Sequence, residues 1–525
     1  MGAVLVLAVG EGMMVLTATT ERPTPARAVP ELVRRRLATL ENWLNPYSWL
    51  VTGIIVVIAA ILRLNGITTR KGYIFDEVYY PTDAWDMLQH GVEWDPEKTG
   101  GPAFVVHPPL GKWLIALGEK AFGNNELGWR FPAAIAGTLM ILILIRVAYR
   151  MFHSIVLAGT AGLLMTLDGF QLVLSRTSLL DIFLGLFVLA SFAALLLDRD
   201  HYRRRLLRSL ERAEDPAVPR AVPWWLLMAG ALLGLACGVK WSALFFLPFF
   251  AVLIIAWRVQ ARRSAGVRRP LRAGLVGDLG WGLLSSVLVV VFYLATWTGW
   301  FVTSGGWDRH YREQNGLSEP PVIGALLNLM HYHQSAFEFH SNLSSPHTYQ
   351  SWPWQWLLLG RPVAFDWKSN AGNCGAASCV RETLLLGTPI LWWSFLPALA
   401  ALIWFGLSRR DWRAWAILVP VAAGLLPWFY YAVKDSRTMF AFYALPALPF
   451  LILAVVYVLG AIMTPPEGMV QGPGRTDRQL LGVIVAGAYV VLVALCFAYF
   501  HPIFVNGLLS YEDWAARMWL GSRWI

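Results

Sequence analysis

Long apolar segments recur along the chain and are separated by shorter polar stretches. About eleven of them have the roughly 17–25 residues that a helix needs to cross the hydrocarbon core of a membrane. A spanning helix satisfies every backbone amide internally, so these runs predict membrane helices. The predicted spans are 48–64, 131–149, 154–171, 179–197, 223–239, 241–257, 276–297, 385–406, 414–432, 438–461 and 480–499.

Arginine-rich loops orient these spans. Short loops rich in Lys and Arg stay on the cytoplasmic side, and the segments 199–212, 258–269 and 408–413 alternate correctly for this rule when the basic segment 30–36 is also inside. An odd number of spans then places the C-terminus outside. The predicted division is a cytoplasmic tail (1–47), a transmembrane domain (48–499) and an extracytoplasmic C-terminal segment (500–525).

Composition supports a multi-pass protein of the cell membrane. Of the 525 residues, 57% are hydrophobic and only 14% are charged, which is more apolar surface than a soluble core of this size needs. The net charge of +10 follows from the cytoplasmic arginines, so we do not expect nucleic-acid binding. The apolar start of the chain, within residues 1–20, lacks a basic region and is interpreted as a disordered or mis-started leader rather than a signal peptide.

Two long loops fall on the outer side, at 65–130 and at 298–384. The first is rich in acidic residues, and Asp76 and Glu77 lie among aromatic side chains that restrict water and raise a carboxyl pKa. Adjacent residues point in different directions, so one acid can act chemically while the other supports it. The alternative is a pair of solvated loop acids.

Several cations and hydrogen-bonding groups accompany this acidic loop. His107 precedes two prolines, and Lys112 falls in the first turn of the helix that these prolines allow to begin. Such groups at one membrane face fit a bound phosphate, although each could instead snorkel to lipid headgroups. The predicted phosphate ligands are Lys112, Arg130, Lys240 and Arg437, with Asp168 and Asp181 as supporting residues near the outer span ends.

Histidines recur in the second outer loop. His333, His340 and His347 are spaced by seven residues, which aligns them on one helical face, although Pro346 must end the helix before His347. The spacing lacks suitable acidic or cysteine ligands, so no metal site is predicted. An amphipathic interfacial helix is expected instead, with Tyr332, Phe337 and Phe339 toward lipid and the histidines toward the site.

Further along the same loop, Trp354 belongs to a run of aromatic residues that suits sugar stacking or a membrane-interface belt. Cys374 and Cys379 share this loop, and their spacing leaves a local disulfide and free thiols both open.

An ordered set of short motifs resembles a known family. The motifs are FDEVYY (75–80), HPPLGKW (107–113), GWRFP (128–132), LDGF (167–170), SRTSLLD (175–181), GVKW (238–241) and HYHQSAFEFHSNLSSPHTYQSWPWQW (331–356). Together they are similar to the dolichyl-phosphate-mannose protein O-mannosyltransferases in a bacterial version. The similarity runs from about residue 45 to 515.

The resemblance implies an α-helical membrane glycosyltransferase of the C-type fold that transfers mannose from a polyprenyl phosphate to Ser or Thr of exported proteins. By analogy, Asp76 and Glu77 match the family's acidic pair, and Tyr80, His107, His333, His340 and Trp354 are candidate sugar contacts or supports. The second loop is too short for the β-trefoil domain of eukaryotic members. No cofactor is required by the sequence, and metal dependence is open.

The chemistry of the residues agrees with this assignment. An attacking hydroxyl needs a base, for which Asp76 is the first choice and Glu77 the helper or second choice. A single displacement inverts the anomeric centre, and we predict inversion. The alternatives are transfer from a polyprenyl phosphate to a membrane glycolipid, and a lipid-carrier transporter. Expected partners are the bilayer, the lipid donor and secreted polypeptides, and the secretion channel is a further candidate.

Overall fold

The protein is built around a bundle of apolar helices. The computed structural model describes residues 29–40, 43–95, 100–212, 221–434, 437–464 and 473–525. Within these ranges nine helices are long and apolar enough to cross a membrane. They are Pro46–Leu64, Glu126–Phe152, Asp181–Glu211, Trp241–Ser264, Pro270–Thr296, Pro389–Ser408, Trp412–Lys434, Ala441–Met463 and Asp477–Phe504. The shorter apolar helices Ile155–Thr166 and Trp224–Val239 lie at the third and fifth predicted spans. The multi-pass prediction is confirmed.

Several shorter helices connect or flank the bundle. They are Glu31–Leu37, Tyr80–His90, Leu110–Phe122, Gly169–Leu174, Thr298–Val302, Tyr311–Gln314, Ile323–Asn342, Pro353–Trp356 and Tyr511–Ala515, with 3₁₀ turns at Phe75–Val78, Trp241–Phe245, Ala441–Ala447 and Gly521–Arg523. Leu37 of the first helix is buried with Tyr202, Leu206 and Ala261, so part of the predicted tail packs on the bundle. The predicted leader lies outside the described residues.

Two predicted boundaries differ from the structure. The span expected at 154–171 is interrupted, because the Asp168 side chain accepts the backbone N–H of Gln171 and caps a new helix at Gly169–Leu174. The helix that begins at Asp181 continues to Glu211, so most of the basic loop 199–212 is helical. Its extension is held by an ion pair between Asp198 and Arg258, with atoms 2.8 Å apart.

The outer loops also contain two small antiparallel sheets that hydropathy did not predict, because their strands are short and lie outside the apolar runs. Strands β1 (Trp94–Asp95) and β2 (Gly101–Pro102) pair in the first outer loop. In the second, β3 (Val363–Ser369) pairs with β4 (Cys379–Leu385), which also pairs with β5 (Leu508–Ser510) near the C-terminus. A disulfide joins Cys374 to Cys379 beside the β3–β4 turn.

Burial separates central from peripheral helices. Of the most apolar part of Ala441–Met463, 78% is buried, against 11% for Pro270–Thr296, so the latter helix faces lipid over most of its surface. It packs closely on Trp224–Val239 through Gly230, Gly234 and Gly238, where an added Cβ would lie 2.4 Å from atoms of the neighbouring helix. Small residues at a four-residue spacing allow this approach, as is common in membranes.

The predicted amphipathic helix is present at Ile323–Asn342 and ends before Pro346, as expected. Phe337 and Phe339 are exposed on it. The expectation that Tyr332 faces lipid is wrong: this side chain is buried among Phe104, Trp297, Trp300 and Trp307. Its hydroxyl bonds to the backbone of Val105, and this contact docks the helix on the first outer loop.

Candidate active site

Asp76 lies in a short 3₁₀ turn immediately after a strained residue. Phe75 has a backbone φ of +48°, which bulky side chains rarely adopt and which costs about 1–3 kcal/mol. The Phe75 ring is held by a stack on Phe365 of strand β3, with centroids 4.7 Å apart, and by an edge contact with Phe442. The aromatic packing therefore sets the direction in which the next residue, Asp76, leaves the turn.

The surroundings of Asp76 suit a base. The side chain is partly buried, and this burial raises its pKa to about 6. The charge of Lys240 lowers the Asp76 pKa and that of Asp181 raises it. Burial raises the pKa of Tyr80, on the next helical turn, well above its usual value, and the charges of Asp76 and Asp181 add to this effect.

Glu77 is placed quite differently from its neighbour. It is fully buried and forms a two-pronged ion pair with Arg130, with N–O distances of 2.8 and 2.7 Å. Its carboxylate also accepts the backbone N–H groups of Ile74 and Ser178. These contacts engage both carboxylate oxygens, so Glu77 lies in a buried ion pair, which fits the supporting role predicted for one of the two acids.

Arg130 is likewise held by contacts within the protein. Besides Glu77, its guanidinium donates to the backbone carbonyls of Ile67, Arg70 and Gly72. Arg176 donates in the same way to the carbonyls of Leu62, Arg63, Asn65 and Gly66, at the end of the first membrane helix. The two arginines therefore fix the backbone of the segment that leads to Asp76, because these carbonyls all accept hydrogen bonds from one guanidinium or the other.

A cavity of about 190 Å³ opens beside this cluster. It is lined by His107, Asp181, Lys240, Trp241, His340, Arg437 and Tyr443, together with apolar side chains. Lys240 donates to Asp181 at 2.8 Å and lies over the Tyr443 ring. The Nε of Arg437 is buried and has no hydrogen-bond partner among the described residues. Asp76 is not part of the cavity wall, but the charges of two wall residues, Lys240 and Asp181, act on its pKa.

His340 connects the cavity's arginine to the first outer loop. Its Nε2 lies 3.0 Å from the carbonyl oxygen of Val106, and its Nδ1 lies 3.1 Å from Nη2 of Arg437. A carbonyl accepts and a guanidinium donates, so the ring must carry its proton on Nε2 and accept at Nδ1. Burial, followed by the charge of Arg437, lowers the His340 pKa to about 4, which keeps the ring neutral.

The other histidines have separate positions. His333 lies seven residues before His340 on the same face of the helix. It hydrogen-bonds to the Tyr293 hydroxyl, which also accepts from the indole of Trp241 at 3.1 Å. His107 faces the cavity, and burial and nearby cations lower its pKa well below the usual value. His347 lies outside the helix and against Phe440. The amphipathic helix thus reaches the cavity through Phe337, His340 and Ser341, while His333 supports Tyr293 beside it.

Three predicted site residues lie away from the cavity wall. Lys112 is buried and paired with Glu93, with Asp83 3.8 Å away. Asp168 is buried and accepts from Trp392 and from the backbone of Thr388 and Gln171. Trp354 is half-exposed and stacks on Trp352. Each therefore has a packing partner that explains its position without substrate.

Sequence reasoning did not single out Trp241, Tyr293 and Tyr443, although each helps to form or support the cavity. Trp241 directly follows Lys240, so its position next to a predicted phosphate ligand could have identified it from the sequence. Tyr293 and Tyr443 lie within apolar spans, where aromatic residues are ordinary packing groups. A further cluster, His310, Glu313 and Glu319, is the group in the described part of the chain that could hold a metal, and its members do not line the cavity.

The fold of this chain is similar to that of a known membrane enzyme complex. The structure matches the yeast protein O-mannosyltransferase Pmt1–Pmt2 complex bound to the sugar donor, with a TM-score of 0.69 over 94% of each chain and 15% identity. The chain therefore shares the multi-pass C-type fold of membrane glycosyltransferases. Residues 53–301 match the family model for dolichyl-phosphate-mannose-protein mannosyltransferase, and residues 325–524 match that for the C-terminal four-span region of protein O-mannosyltransferase. The chain belongs to this protein O-mannosyltransferase family.

Bacterial relatives cover nearly the whole chain. The polyprenol-phosphate-mannose–protein mannosyltransferase of Mycobacterium tuberculosis is 40% identical over 90% of this chain and 92% of its own length. The protein of the same name from Corynebacterium glutamicum is 32% identical over 91% of this chain and 94% of its own. The family assigned from the short motifs is thereby confirmed.

Proposed function

We propose that this protein transfers mannose from a polyprenyl-phosphate donor to Ser or Thr hydroxyls of exported polypeptides, with inversion at the anomeric carbon. The observation that carries the proposal is the position of Asp76, a partly buried carboxylate beside a cavity that contains Lys240 and Arg437. The names of the bacterial relatives supply the donor and the type of acceptor. The orientation proposed from the arginine-rich loops places this end of the bundle outside the cell membrane.

The reaction needs one proton acceptor and one anion site. As the acceptor oxygen bonds to the anomeric carbon, the carboxylate of Asp76 takes the hydroxyl proton. The bond between that carbon and the phosphate oxygen breaks, and its electron pair leaves with the lipid phosphate. Lys240 and Arg437 stabilise the negative charge on this leaving group, and no general acid is required because the phosphate is a stable anion.

This assignment revises the predicted phosphate ligands. Of the four cations proposed from the sequence, Lys240 and Arg437 line the cavity, while Lys112 and Arg130 are held in buried ion pairs. Asp181 keeps Lys240 in place, and the Tyr80 ring lies 6.1 Å from the ring of His107, which lines the cavity. We assign the sugar to the end of the cavity nearest these two rings. The secretion channel remains a candidate partner because acceptors must be reached while unfolded.

The function is tested with purified protein in lipid nanodiscs. Labelled polyprenyl-phosphate mannose is supplied with a peptide rich in Ser, Thr and Pro, and the label in peptide and in lipid is measured separately. We expect α-linked mannose on the peptide from a β-linked donor. Label found only in a glycolipid would favour the alternative acceptor, and retention of configuration would exclude the single displacement.

The contact between His340 and Arg437 leads to a prediction about donor use. His340→Ala should raise the KM for the lipid donor about tenfold, because a lost hydrogen bond to a charged group is worth roughly 1.5–3 kcal/mol and Arg437 is then free to turn away. His340→Gln should keep most of the activity, since an amide can donate to the Val106 carbonyl and accept from Arg437. Steady-state kinetics with varied donor concentration measure both effects.

Phe339→Ala is the control for this pair, because Phe339 is exposed on the neighbouring position of the same helix. It should leave the donor KM unchanged. Equal KM values for His340→Ala and the wild type would show that His340 does not position Arg437.

A further inference from the structure

A second, larger cavity lies between peripheral helices and is separate from the candidate active site. It measures about 310 Å³ and is bounded by the helices Asp181–Glu211, Trp224–Val239, Trp241–Ser264 and Pro270–Thr296. Most of its wall is aliphatic or aromatic, and one end carries Arg258, Arg262 and Asp278. We refer to it as the arginine-ended groove. Because Pro270–Thr296 faces lipid over most of its surface, the groove opens toward the bilayer.

The polar end of this groove lies at the membrane face opposite to the active site. Thr296 contacts Gly238, two residues from Lys240, whereas Asp278 lies 18 residues earlier on the same helix. At 1.5 Å per residue these levels are about 27 Å apart, close to the thickness of the hydrocarbon core. A donor whose phosphate binds at Lys240 therefore cannot place that phosphate at Arg258 or Arg262.

The charges around the polar end favour an anionic headgroup. Arg258 and Arg262 are buried and pair with Asp278 at 3.0 and 2.6 Å, which fixes their positions at the groove. The loop that follows carries Arg263, Arg268, Arg269 and Arg272, and residues 258–277 contain no acid. Among the described residues none of these four arginines forms an ion pair. They are therefore available to a phosphate, as basic pockets between membrane helices commonly are.

We propose that the arginine-ended groove binds one anionic phospholipid of the leaflet opposite to the active site. An acyl chain fills the apolar part between the helices, and the headgroup phosphate is bound by the arginines of the 258–272 loop. The bound lipid fills the space that remains between Pro270–Thr296 and the helices Asp181–Glu211 and Trp241–Ser264. Its expected effect is on the stability of this helix pair, since a ligand that binds only the folded state stabilises it.

Two glycines on this helix allow a matched test. Gly282 lines the groove and Gly280 does not, and an added Cβ at either position meets nothing within 4 Å. Gly282→Phe should therefore plug the groove without a clash, while Gly280→Phe adds the same side chain on the lipid-facing side. Full-length protein is stripped of lipid in detergent and returned to nanodiscs of phosphatidylcholine alone or mixed with phosphatidylglycerol. Thermal unfolding is measured, and retained lipid is counted by native mass spectrometry.

We expect phosphatidylglycerol to raise the unfolding midpoint of the wild type and of Gly280→Phe by several degrees, with one retained lipid. Gly282→Phe should lose this response, and the triple variant Arg268→Gln/Arg269→Gln/Arg272→Gln should lose most of it while keeping its stability in phosphatidylcholine. An equal response in Gly282→Phe and Gly280→Phe would overturn the site. Equal stabilisation by both lipids would overturn the preference for an anionic headgroup.

Discussion

Replacing Asp76 with Asn is expected to lower the rate of mannose transfer by about 10²–10⁴-fold, the usual contribution of a general base. The substitution keeps the shape of the side chain and removes only its capacity to take the hydroxyl proton. Donor binding should persist, because Lys240 and Arg437 are unchanged. The measurement is single-turnover transfer to a Ser/Thr peptide, alongside binding of the labelled donor.

The pH dependence gives a second measurement on the same residue. Burial raises the Asp76 pKa to about 6, so the reactive carboxylate is the main form above pH 6 and is lost as the pH falls through this value. The wild-type rate should fall tenfold per pH unit well below 6. The rate of the Asn variant should not show this fall at low pH. The variant should also be at least as stable as the wild type at neutral pH, because the free-energy cost of a buried charge is removed.

Asp86→Asn is the matched control for this prediction. Asp86 is a partly buried carboxyl on the same outer loop, and burial raises its pKa as well, but the charges that act on it are His90, Asp95 and Glu93 rather than Lys240 and Asp181 of the cavity wall. It should keep nearly full activity. If Asp76→Asn retained wild-type turnover, or if both variants lost activity equally, Asp76 would not be the base.

Breaking the ion pair between Glu77 and Arg130 is expected to give the largest loss of stability. Both side chains are buried, and removing one partner of such a pair costs about 3–5 kcal/mol because the other charge is left uncompensated. In Glu77→Gln the backbone N–H groups of Ile74 and Ser178 also lose their charged acceptor. Thermal unfolding in nanodiscs should show a lowered midpoint, with reduced yield of folded protein.

Glu126→Gln provides the comparison. Glu126 also binds the segment before Asp76, through the backbone N–H of Gly72, but its side chain is only partly buried and its ion-pair partner Lys71 is exposed, so its contacts should contribute less than the fully buried pair. Its unfolding midpoint should stay near that of the wild type. A Glu77→Gln protein that is inactive yet as stable as the wild type would contradict the structural role and would return Glu77 to the chemistry.

Hydropathy and charge predicted much of this molecule correctly. Nine long apolar helices of the described residues, the returning helix that contains Lys112 and the amphipathic helix that ends before Pro346 follow the prediction. The small sheets were not predicted, because β3 and β4 acquire their stability from pairing across a turn and from packing on distant helices. The break at Asp168 was missed for a similar reason, since a capping side chain in an apolar run gives little change in hydropathy.

The candidate site was only partly visible in the sequence. Asp76 and Glu77 are neighbours in one motif and look equivalent, yet one is partly exposed beside a cavity and the other is buried on Arg130. The cations divide in the same way, because Lys240 lines the cavity whereas Lys112 is held in a buried ion pair with Glu93. Which member of each pair faces substrate depends on side chains more than 50 positions away, such as Arg130 for Glu77.

The amino-acid sequence by itself determined the membrane class, the family and the loops that carry the chemistry, because these follow from local runs of apolar residues, the placement of arginines and ordered short motifs. The tertiary structure alone decided which acid is buried in an ion pair, which cations line a cavity and where a groove remains between helices. The physical reason is that a charge acquires its role from the partners that bury or expose it, and those partners come together only when the helices pack.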